Sequence, residues 1–179
     1  NPAPSALTEA AGKTVVQFLQ LVPNGIVSMS MDIPGLVQTS SNLGIFHVAD
    51  GLLVARASVR SSVASEKEML LERFATLCAL LGASMEITGD YPAWEYKRDS
   101  ALRDTMVRVF TEQYGHAPKI EAIHAGLECG LFSGKLPGLD CVSFGPDLLE
   151  IHTPREKMSI PSVQRTWKFL LGVLEALKD

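Results

Sequence analysis

The chain has 179 residues, of which 46% are hydrophobic and 20% charged, and its formal net charge is −4. This composition is typical of globular proteins and allows one sizeable domain or two small ones. The acidic balance provides no basic face for nucleic acid or anionic lipid, and no apolar run reaches the roughly 18 to 20 residues that cross a bilayer. The first residues also lack the basic region of a signal peptide. We therefore expect a cytoplasmic protein that binds neither nucleic acid nor membranes.

The first half of the chain predicts a small α+β layer. A helix is expected over 5–20, with Ser5 or Thr8 as its N-cap, and strands are expected over 26–31, 36–48 and 52–60. The last two strands flank a tight turn and should pair as a hairpin. A capping-box pattern over 65–68 predicts a helix that ends at Gly82, and 84–88 predicts a further strand. These elements predict about four antiparallel strands with helices on one face.

The second half predicts alternating helices and strands. A helix is expected over 99–114, a strand over 119–123, a short helix over 130–135, a strand over 141–144, and a final helix. Pro161 suits the first turn of that final helix, where a missing N–H has no cost. The predicted buried face of this helix consists of Val163, Trp167, Leu170, Leu171, Leu174 and Leu177. The turn cluster over 89–92 predicts a domain boundary, with domains over 1–92 and 93–179.

The strongest chemical signals come from two stretches of the second half. Ile123-His-Ala-Gly-Leu-Glu-Cys-Gly130 places a glycine turn and a carboxylate after a strand, and Glu150-Ile-His-Thr-Pro-Arg-Glu156 places a histidine before a proline turn. Short turns at strand ends can aim polar side chains into one cleft, which is typical of an active-site wall. The restricted neighbours of His152 suit a metal ligand, with Glu150 or Glu156 as the acceptor for its second ring nitrogen. By spacing alone, the alternative is a histidine that is merely hydrogen-bonded at a strand end.

These motifs resemble the C-terminal signature of the aminoacyl-histidine dipeptidases, which cleave Xaa-His dipeptides such as carnosine. That family belongs to the two-zinc metallopeptidases, together with carboxypeptidase G, the aminoacylases and succinyl-diaminopimelate desuccinylase. The resemblance extends from Pro23 to Ser162. It implies an α/β plus α+β fold, in which the C-terminal part of a zinc-peptidase α/β catalytic domain (93–179) follows part of an antiparallel-sheet lid domain (1–92).

The resemblance implies roles for five residues. His152 is the implied ligand of one of two bridged zinc ions. Gly126 and Glu128 occupy the position of a substrate-side turn, where Glu128 would accept hydrogen bonds from the free amine of a dipeptide. Asn42 and Arg60 match lid residues that reach the substrate carboxylate or the oxyanion, a task that suits the planar guanidinium. From the residues alone, Glu128 suits a helix start, Asn42 a turn and Arg60 a solvated strand edge.

The remaining polar residues have simpler interpretations. His47 and His116 are expected at the surface, and His124 is expected to be a satisfied core histidine. The charged run Glu66, Lys67 and Glu68 is expected to be a solvated helix face. Cys78, Cys129 and Cys141 are embedded in apolar sequence and are expected to be buried, reduced thiols.

The family also needs a His-x-Asp ligand motif, a bridging aspartate and an adjacent Glu-Glu pair that contains the general base, and neither motif occurs in the 179 residues. The chain is therefore expected to be the C-terminal portion of such an enzyme and to be inactive by itself. Its expected partners are the missing N-terminal part, a dipeptide substrate and a second copy bound through the lid. Two alternatives remain: a non-catalytic, self-associating lid fragment, or a related zinc peptidase or aminoacylase for another dipeptide or an N-acyl amino acid.

Overall fold

The structure is a computed structural model that describes residues 6–49, 51–122 and 127–178. The chain divides into two compact units, one formed by 1–96 and 122–134 and the other by 97–121 and 135–179. Within the described residues, no helix combines the length and the apolar character that a membrane crossing requires.

The first unit is built on a three-stranded antiparallel sheet in the order β1 (Gly25–Met29), β2 (Val37–Ala49), β3 (Leu52–Ser61). Helix α1 (Glu9–Leu21) precedes the sheet and α2 (Ala64–Leu81) follows it. Thr8 is the N-cap of α1, since its Oγ1 accepts a hydrogen bond from the N–H of Ala11 at 3.2 Å. Gly82 ends α2 in the left-handed conformation, with φ of 67°. The predicted order of one helix, three strands with a hairpin, and a second helix is confirmed for the part of the chain up to Gly82.

Both helices pack on the same face of the sheet. Alternate residues of β2 point to this face, so Thr39 and Ser41 are buried. The bulge between Leu43 and Ile45 shifts the alternation, so Phe46 points to the same face and stacks on Phe18 of α1 with ring centroids 5.9 Å apart. Leu70 and Leu77 of α2 are buried, whereas Met69 is 46% exposed. On the other face of the sheet, the side chains of Asn42, Ser58 and Arg60 are exposed.

The charged residues at the start of α2 bind the sheet and a neighbouring loop, so the prediction of a solvated face was wrong for Glu66 and Lys67, whereas Glu68 is exposed as predicted. Ser28 Oγ donates to Glu66 Oε2 at 2.5 Å, Gln38 Nε2 donates to Glu66 Oε1 at 2.7 Å, and Thr39 Oγ1 also donates to this carboxylate. Lys67 pairs with Asp90 at 2.7 Å. Helix α2 begins at Ala64, one residue before the predicted capping residue Ser65, and no side chain is hydrogen-bonded at its N-cap. Its first turn is instead held by the hydrogen bonds of Glu66 to the sheet.

The second unit is built on two packed helices, α3 (Ala101–Tyr114) and α5 (Ile160–Ala176). Met106 and Val109 of α3 and Phe169 and Val173 of α5 form its buried core. Gly172 allows this close approach, because a Cβ there would lie 3.0 Å from Val109 Cγ1. The remaining elements are α4 (Glu128–Lys135), which lies mostly in the first unit, and the two-stranded β4 (Leu148–Leu149) and β5 (Lys157–Met158).

Asp140 fixes the start of α3 from a distant part of the chain. Its carboxylate accepts hydrogen bonds from Ser100 Oγ at 2.7 Å and from the N–H of Leu102 at 3.1 Å. Burial raises the pKa of Asp140, but these two hydrogen bonds and the charges of Lys97 and Arg103 outweigh it and hold the pKa below its ordinary value. Ser100 is itself the N-cap residue, so two side chains stabilise this helix end.

Three predicted strands are not strands in the structure. Residues 84–88, 119–122 and 141–144 have no strand pairing among the described residues, and Ile123 lies outside them. Their β-branched and apolar composition predicted strands, but a strand forms only where a neighbour completes its hydrogen bonds. The β4–β5 pair, in contrast, was missed because each strand has only two residues.

The predicted buried face of α5 was also wrong. Val163, Leu171 and Leu174 are 36%, 48% and 54% exposed, and Trp167 and Leu177 are exposed as well. Leu170 alone is half-buried. The helix instead buries an adjacent face, on which lie Ser162, Phe169 and Val173. The two apolar faces are neighbours on one helix, and the sequence pattern does not tell which of them meets α3.

Candidate functional site

His152 lies in a seven-residue loop that the short strands β4 and β5 close. Leu148 pairs with Met158 and Leu149 with Lys157, so the chain reverses between Glu150 and Glu156. Both strands are exposed, unlike the buried strand expected before this histidine. The loop is therefore held by its own hydrogen bonds more than by burial.

The backbone of this loop is tightly constrained. Glu150 and His152 have positive φ angles of 53° and 64°, which non-glycine residues adopt rarely and at a cost in energy. The carbonyl of Glu150 accepts from Thr153 Oγ1 at 2.7 Å and from the N–H of Thr153 at 3.2 Å. The N–H of His152 donates to Glu156 Oε2 at 2.9 Å. A strained residue that is fixed by its neighbours is characteristic of functional loops.

The two glutamates flanking His152 form hydrogen bonds within the loop and none to the imidazole. Glu156 accepts from the backbone of His152, and the Glu150 carboxylate accepts from Arg155 Nε at 2.9 Å. Neither carboxylate is hydrogen-bonded to the imidazole in this structure, so the role of Glu150 or Glu156 beside a metal-bound His152 stays a prediction. The imidazole is exposed and makes no hydrogen bond to the described part of the chain, so both ring nitrogens are accessible to a ligand.

The base of the loop is anchored to the first turn of α5. Ser162, which is 3% exposed, accepts a hydrogen bond at Oγ from the N–H of Asp147 at 2.9 Å and donates one to the carbonyl of Ser159 at 2.6 Å. The N–H of Ser159 donates to the carbonyl of Asp147 at 3.0 Å. The sequence pattern gave Ser162 no role, because a capping box would have a glutamate or glutamine, and not a serine, three residues after the N-cap Ser159.

Asn42 and Arg60 lie together on the uncovered face of the sheet. Asn42 pairs with Ser58 and Ser40 pairs with Arg60, so Asn42 and Arg60 are diagonal neighbours across the β2–β3 ladder. Asn42 is in the central strand and not in a turn, while Arg60 is the penultimate residue of β3. Both side chains are exposed on the face opposite to the helices. Two hydrogen-bond donors from neighbouring strands are thus available to one ligand.

Glu128 is the first residue of α4 and is exposed, where its charge complements the helix dipole. Gly130 and Gly134, one turn apart, face Pro92: added Cβ atoms would lie 3.1 Å from the Pro92 carbonyl oxygen and 3.2 Å from Pro92 Cβ. The absence of side chains at these two glycines therefore allows α4 to pack closely against Pro92. The predicted substrate residue Gly126 and the predicted core residue His124 lie outside the described residues.

The other histidines and the cysteines have no evident chemical role. His47 and His116 are exposed, as predicted, and the His116 ring packs edge-on against Phe110 with centroids 5.4 Å apart. Cys78, Cys129 and Cys141 are half-buried thiols, which is less burial than predicted.

A complete zinc site is not present in the described part of the chain. No group of three or more His, Cys, Asp or Glu side chains there converges as metal ligands. A catalytic zinc needs about three protein ligands and one open position. The exposed imidazole of His152 fits one such ligand, and the others would have to come from elsewhere.

The candidate residues are divided between the two units. Asn42, Arg60 and Glu128 belong to the first unit, and His152 belongs to the second. In the first unit these residues lie on a sheet face and at the start of a helix. In the second unit, His152 lies in the loop that β4 and β5 close.

Comparison with known proteins identifies relatives of the whole chain. No family model matches it. It is 32% identical over 173 residues to the cytosol non-specific dipeptidase of Escherichia coli K12, covering 97% of this chain and 36% of that protein. The crystal structure of aminoacylhistidine dipeptidase from Vibrio alginolyticus matches with a TM-score of 0.88 and 34% identity, over 99% of this chain and 37% of that one. Aminopeptidase PepT from Bacillus cereus shares the fold, with a TM-score of 0.73 and 19% identity over 94% of this chain and 46% of that one.

The chain is thus a homologue of bacterial dipeptidases, as its motifs predicted. Its relatives are the cytosol non-specific dipeptidase and the aminoacylhistidine dipeptidase, and it spans little more than a third of the length of each. The predicted fold class, α/β combined with α+β, is confirmed by the structural match to the latter.

Proposed function

We propose that the polypeptide to which this chain corresponds is a metal-dependent dipeptidase. The observation that carries this proposal is the TM-score of 0.88 with 34% identity to an aminoacylhistidine dipeptidase over 99% of the chain. The proposed substrates are dipeptides with a C-terminal histidine, such as β-alanyl-histidine. A wider range of dipeptides is the second candidate, since the Escherichia coli relative is a non-specific dipeptidase.

His152 is the proposed contribution of this chain to a two-zinc centre. Its imidazole is exposed and free of hydrogen bonds to the described residues, and its backbone is fixed in a left-handed conformation by Glu156 and by the turn at Glu150. A ligand whose backbone is already fixed binds metal with a smaller loss of conformational entropy. When bound, zinc would make a water molecule nucleophilic near neutral pH and polarise the peptide carbonyl.

The first unit is the proposed source of substrate contacts. Arg60 would bind the carboxylate of the dipeptide in two parallel hydrogen bonds, and Asn42 would donate a further one beside it. Glu128, with Gly126, would receive the free amine at the other end of the substrate. The adjacency of Asn42 and Arg60 on the exposed face of the sheet supports this assignment, because this face is opposite to the one on which Thr39 and Ser41 are buried.

Further properties follow from the same proposal. The complete enzyme would be cytoplasmic, would bind two zinc ions, and would form a homodimer through the first unit as a lid. This chain without the remainder of the polypeptide would be inactive, because it offers one metal ligand and lacks a general base. The competing function is a self-associating, non-catalytic fragment.

The test compares this chain with the complete polypeptide. Zinc content and hydrolysis of β-alanyl-histidine are measured for each, and then for this chain mixed with the remaining part. We expect two zinc ions per complete polypeptide, hydrolysis only by that form or the mixture, and weak or no zinc binding by the chain alone. A panel of dipeptides varied at the C-terminal residue then decides between histidine specificity and a broad range. A complete polypeptide that binds no metal and cleaves no dipeptide contradicts the proposal.

A further inference from the structure

The sheet of the first unit is narrower at Asn42 than at Arg60. At the level of Arg60 it has three strands, because the cross-strand partner Ser40 also pairs with β1. The last residue pair of β1 and β2 is Gly25 with Ser41. Among the described residues, β2 from Asn42 onward pairs with β3 alone. The backbone that carries Asn42 is therefore paired on one side only.

A β-bulge lies directly beyond Asn42. The register of β2 and β3 shifts between Leu43 and Ile45, which leaves Gly44 as the extra residue. A bulge bends the strand and disrupts the ladder, so pairing with β3 defines the backbone less well at this point. The Asn42 amide group extends toward the bulge, since a Cβ on Gly44 would lie 3.6 Å from Asn42 Nδ2. Its position therefore depends on the geometry of the bulge.

The side chain of Asn24 fixes the backbone at this point. Asn24 directly precedes β1, and its Oδ1 accepts a hydrogen bond from the N–H of Leu43 at 2.8 Å. Leu43 is two residues beyond Ser41, where an antiparallel ladder would need its next acceptor from β1. The Asn24 amide oxygen thus replaces a strand carbonyl. This hydrogen bond is exposed, so water can replace it at little cost to the stability of the fold.

We propose that Asn24 is a positioning residue for Asn42 in substrate binding. By holding Leu43, the residue next to Asn42, it keeps the Asn42 amide beside the substrate carboxylate that Arg60 binds. The inference rests on the proposed function, because it takes Asn42 to donate a hydrogen bond to the substrate. Hydrogen bonds weaken steeply with misalignment, so a small shift of β2 at the bulge is enough to reduce this contact.

The experiment is a double-mutant cycle on the complete polypeptide, with steady-state kinetics on β-alanyl-histidine. Asn42→Ala should lower kcat/KM by roughly 10-fold or more, because it removes a hydrogen bond to a charged group. Asn24→Ala should lower kcat/KM by about 3- to 10-fold, through KM and not kcat, since the contact is made equally in the ground state and the transition state. In the Asn42→Ala background, Asn24→Ala should have no further effect, because the group that it positions is gone.

Ser30→Ala is the matched control. Ser30 Oγ accepts hydrogen bonds from the N–H groups of Asp32 and Ile33 at 3.2 Å, in the connection between β1 and β2. This substitution also removes a side chain that binds backbone N–H groups of the first unit, but at the other end of β1. It should leave kcat/KM unchanged.

Two further measurements test the hydrogen bond itself. Asn24→Asp keeps an acceptor oxygen and should retain kcat/KM within about twofold of the unsubstituted protein. Hydrogen–deuterium exchange, measured by mass spectrometry, should be several-fold faster at Leu43 in Asn24→Ala and unchanged there in Ser30→Ala. Exchange at Leu43 that does not respond to Asn24→Ala would contradict the inference.

The kinetic outcomes separate this inference from the proposed function. Unchanged kcat/KM in Asn24→Ala, when Asn42→Ala lowers it, overturns the inference alone. An Asn24→Ala loss of the same size in the Asn42→Ala background does so too, because Asn24 would then act elsewhere. Equal losses in Asn24→Ala and Ser30→Ala would show a general effect on the fold and also overturn it. Unchanged kcat/KM in Asn42→Ala contradicts the proposed substrate role of Asn42, and the inference falls with it.

Discussion

Asn42 and Arg60 lie on the same face of the sheet, with one residue pair, Ser41 and Val59, between their positions along the β2–β3 ladder. The two are separated in sequence by a bulge after Leu43 and by the hairpin turn, yet the register brings them within reach of one carboxylate. The helices occupy the opposite face, so this pair is open to a ligand.

The first prediction concerns Arg60. In the complete polypeptide, Arg60→Lys keeps the charge but removes the planar fork, so we expect kcat/KM for a dipeptide to fall by roughly 10- to 100-fold, the equivalent of losing a charge-assisted hydrogen bond. Steady-state kinetics measures this. Arg73→Lys is the control, because Arg73 is an exposed arginine of α2 and lies outside the sheet. Equal losses in the two variants would contradict a specific role for Arg60.

The second prediction concerns His152. His152→Ala in the complete polypeptide removes a proposed metal ligand, so we expect zinc stoichiometry to fall and dipeptide hydrolysis to drop by more than the roughly 10- to 100-fold that the loss of an outer-shell partner costs. Metal analysis and activity assays measure the two effects. His116→Ala replaces another exposed histidine and should change neither. Unchanged zinc content in His152→Ala would refute the assignment.

The third prediction concerns pH and Glu66. Hydrogen bonds from Ser28 and Thr39 hold the pKa of Glu66 below its ordinary value of 4.5. A carboxyl group whose pKa is lower in the folded state stabilises the fold above its unfolded pKa, and this stabilisation is lost as the pH falls below about 4.5 and through the folded pKa. We expect Glu66→Gln to lower the free energy of unfolding by about 1–3 kcal/mol at pH 7 and to have a smaller effect in acid.

Denaturant unfolding at pH 7 and below pH 4 measures this difference. Glu68→Gln is the matched control, since Glu68 is an exposed carboxylate on the same helix. A Glu66→Gln effect that is the same at both pH values would show that the carboxylate charge does not stabilise this contact.

The fourth prediction concerns the close approach of α3 and α5. In Gly172→Ala, the new methyl group would meet Val109 Cγ1 at 3.0 Å and the Gln113 amide group, which donates to the Lys168 carbonyl at 3.4 Å. We expect the overpacking cost of about 1–3 kcal/mol to outweigh the gain in helix propensity, because Val109 is part of the buried core.

Gly12→Ala is the control for helix propensity. Gly12 lies within α1, and an added Cβ there would meet nothing within 4 Å. This substitution should raise the free energy of unfolding by about 1 kcal/mol. Thermal unfolding of both variants measures the contrast, and stabilisation by Gly172→Ala would show that the two helices can separate without cost.

The local elements of this protein were largely determined by its sequence. Thr8, Gly82 and Gly115 mark helix ends by chemistry that acts within a few residues, and the Gly51 turn fixes the β2–β3 hairpin. The motif around His152 was enough to predict the dipeptidase relatives. Capping, turn conformation and side-chain periodicity depend on neighbours in sequence, so they can be identified without a structure.

Contacts between distant residues were decided by the tertiary structure alone. Glu66 binds three strand residues, Asp140 caps α3, and Ser162 anchors the His152 loop, although none of these partners is indicated by spacing. The face that α5 buries and the absence of strands over 119–122 and 141–144 were likewise not predictable. A helix face is buried and a strand is paired only where another segment is available in space, and one-dimensional patterns do not contain that information.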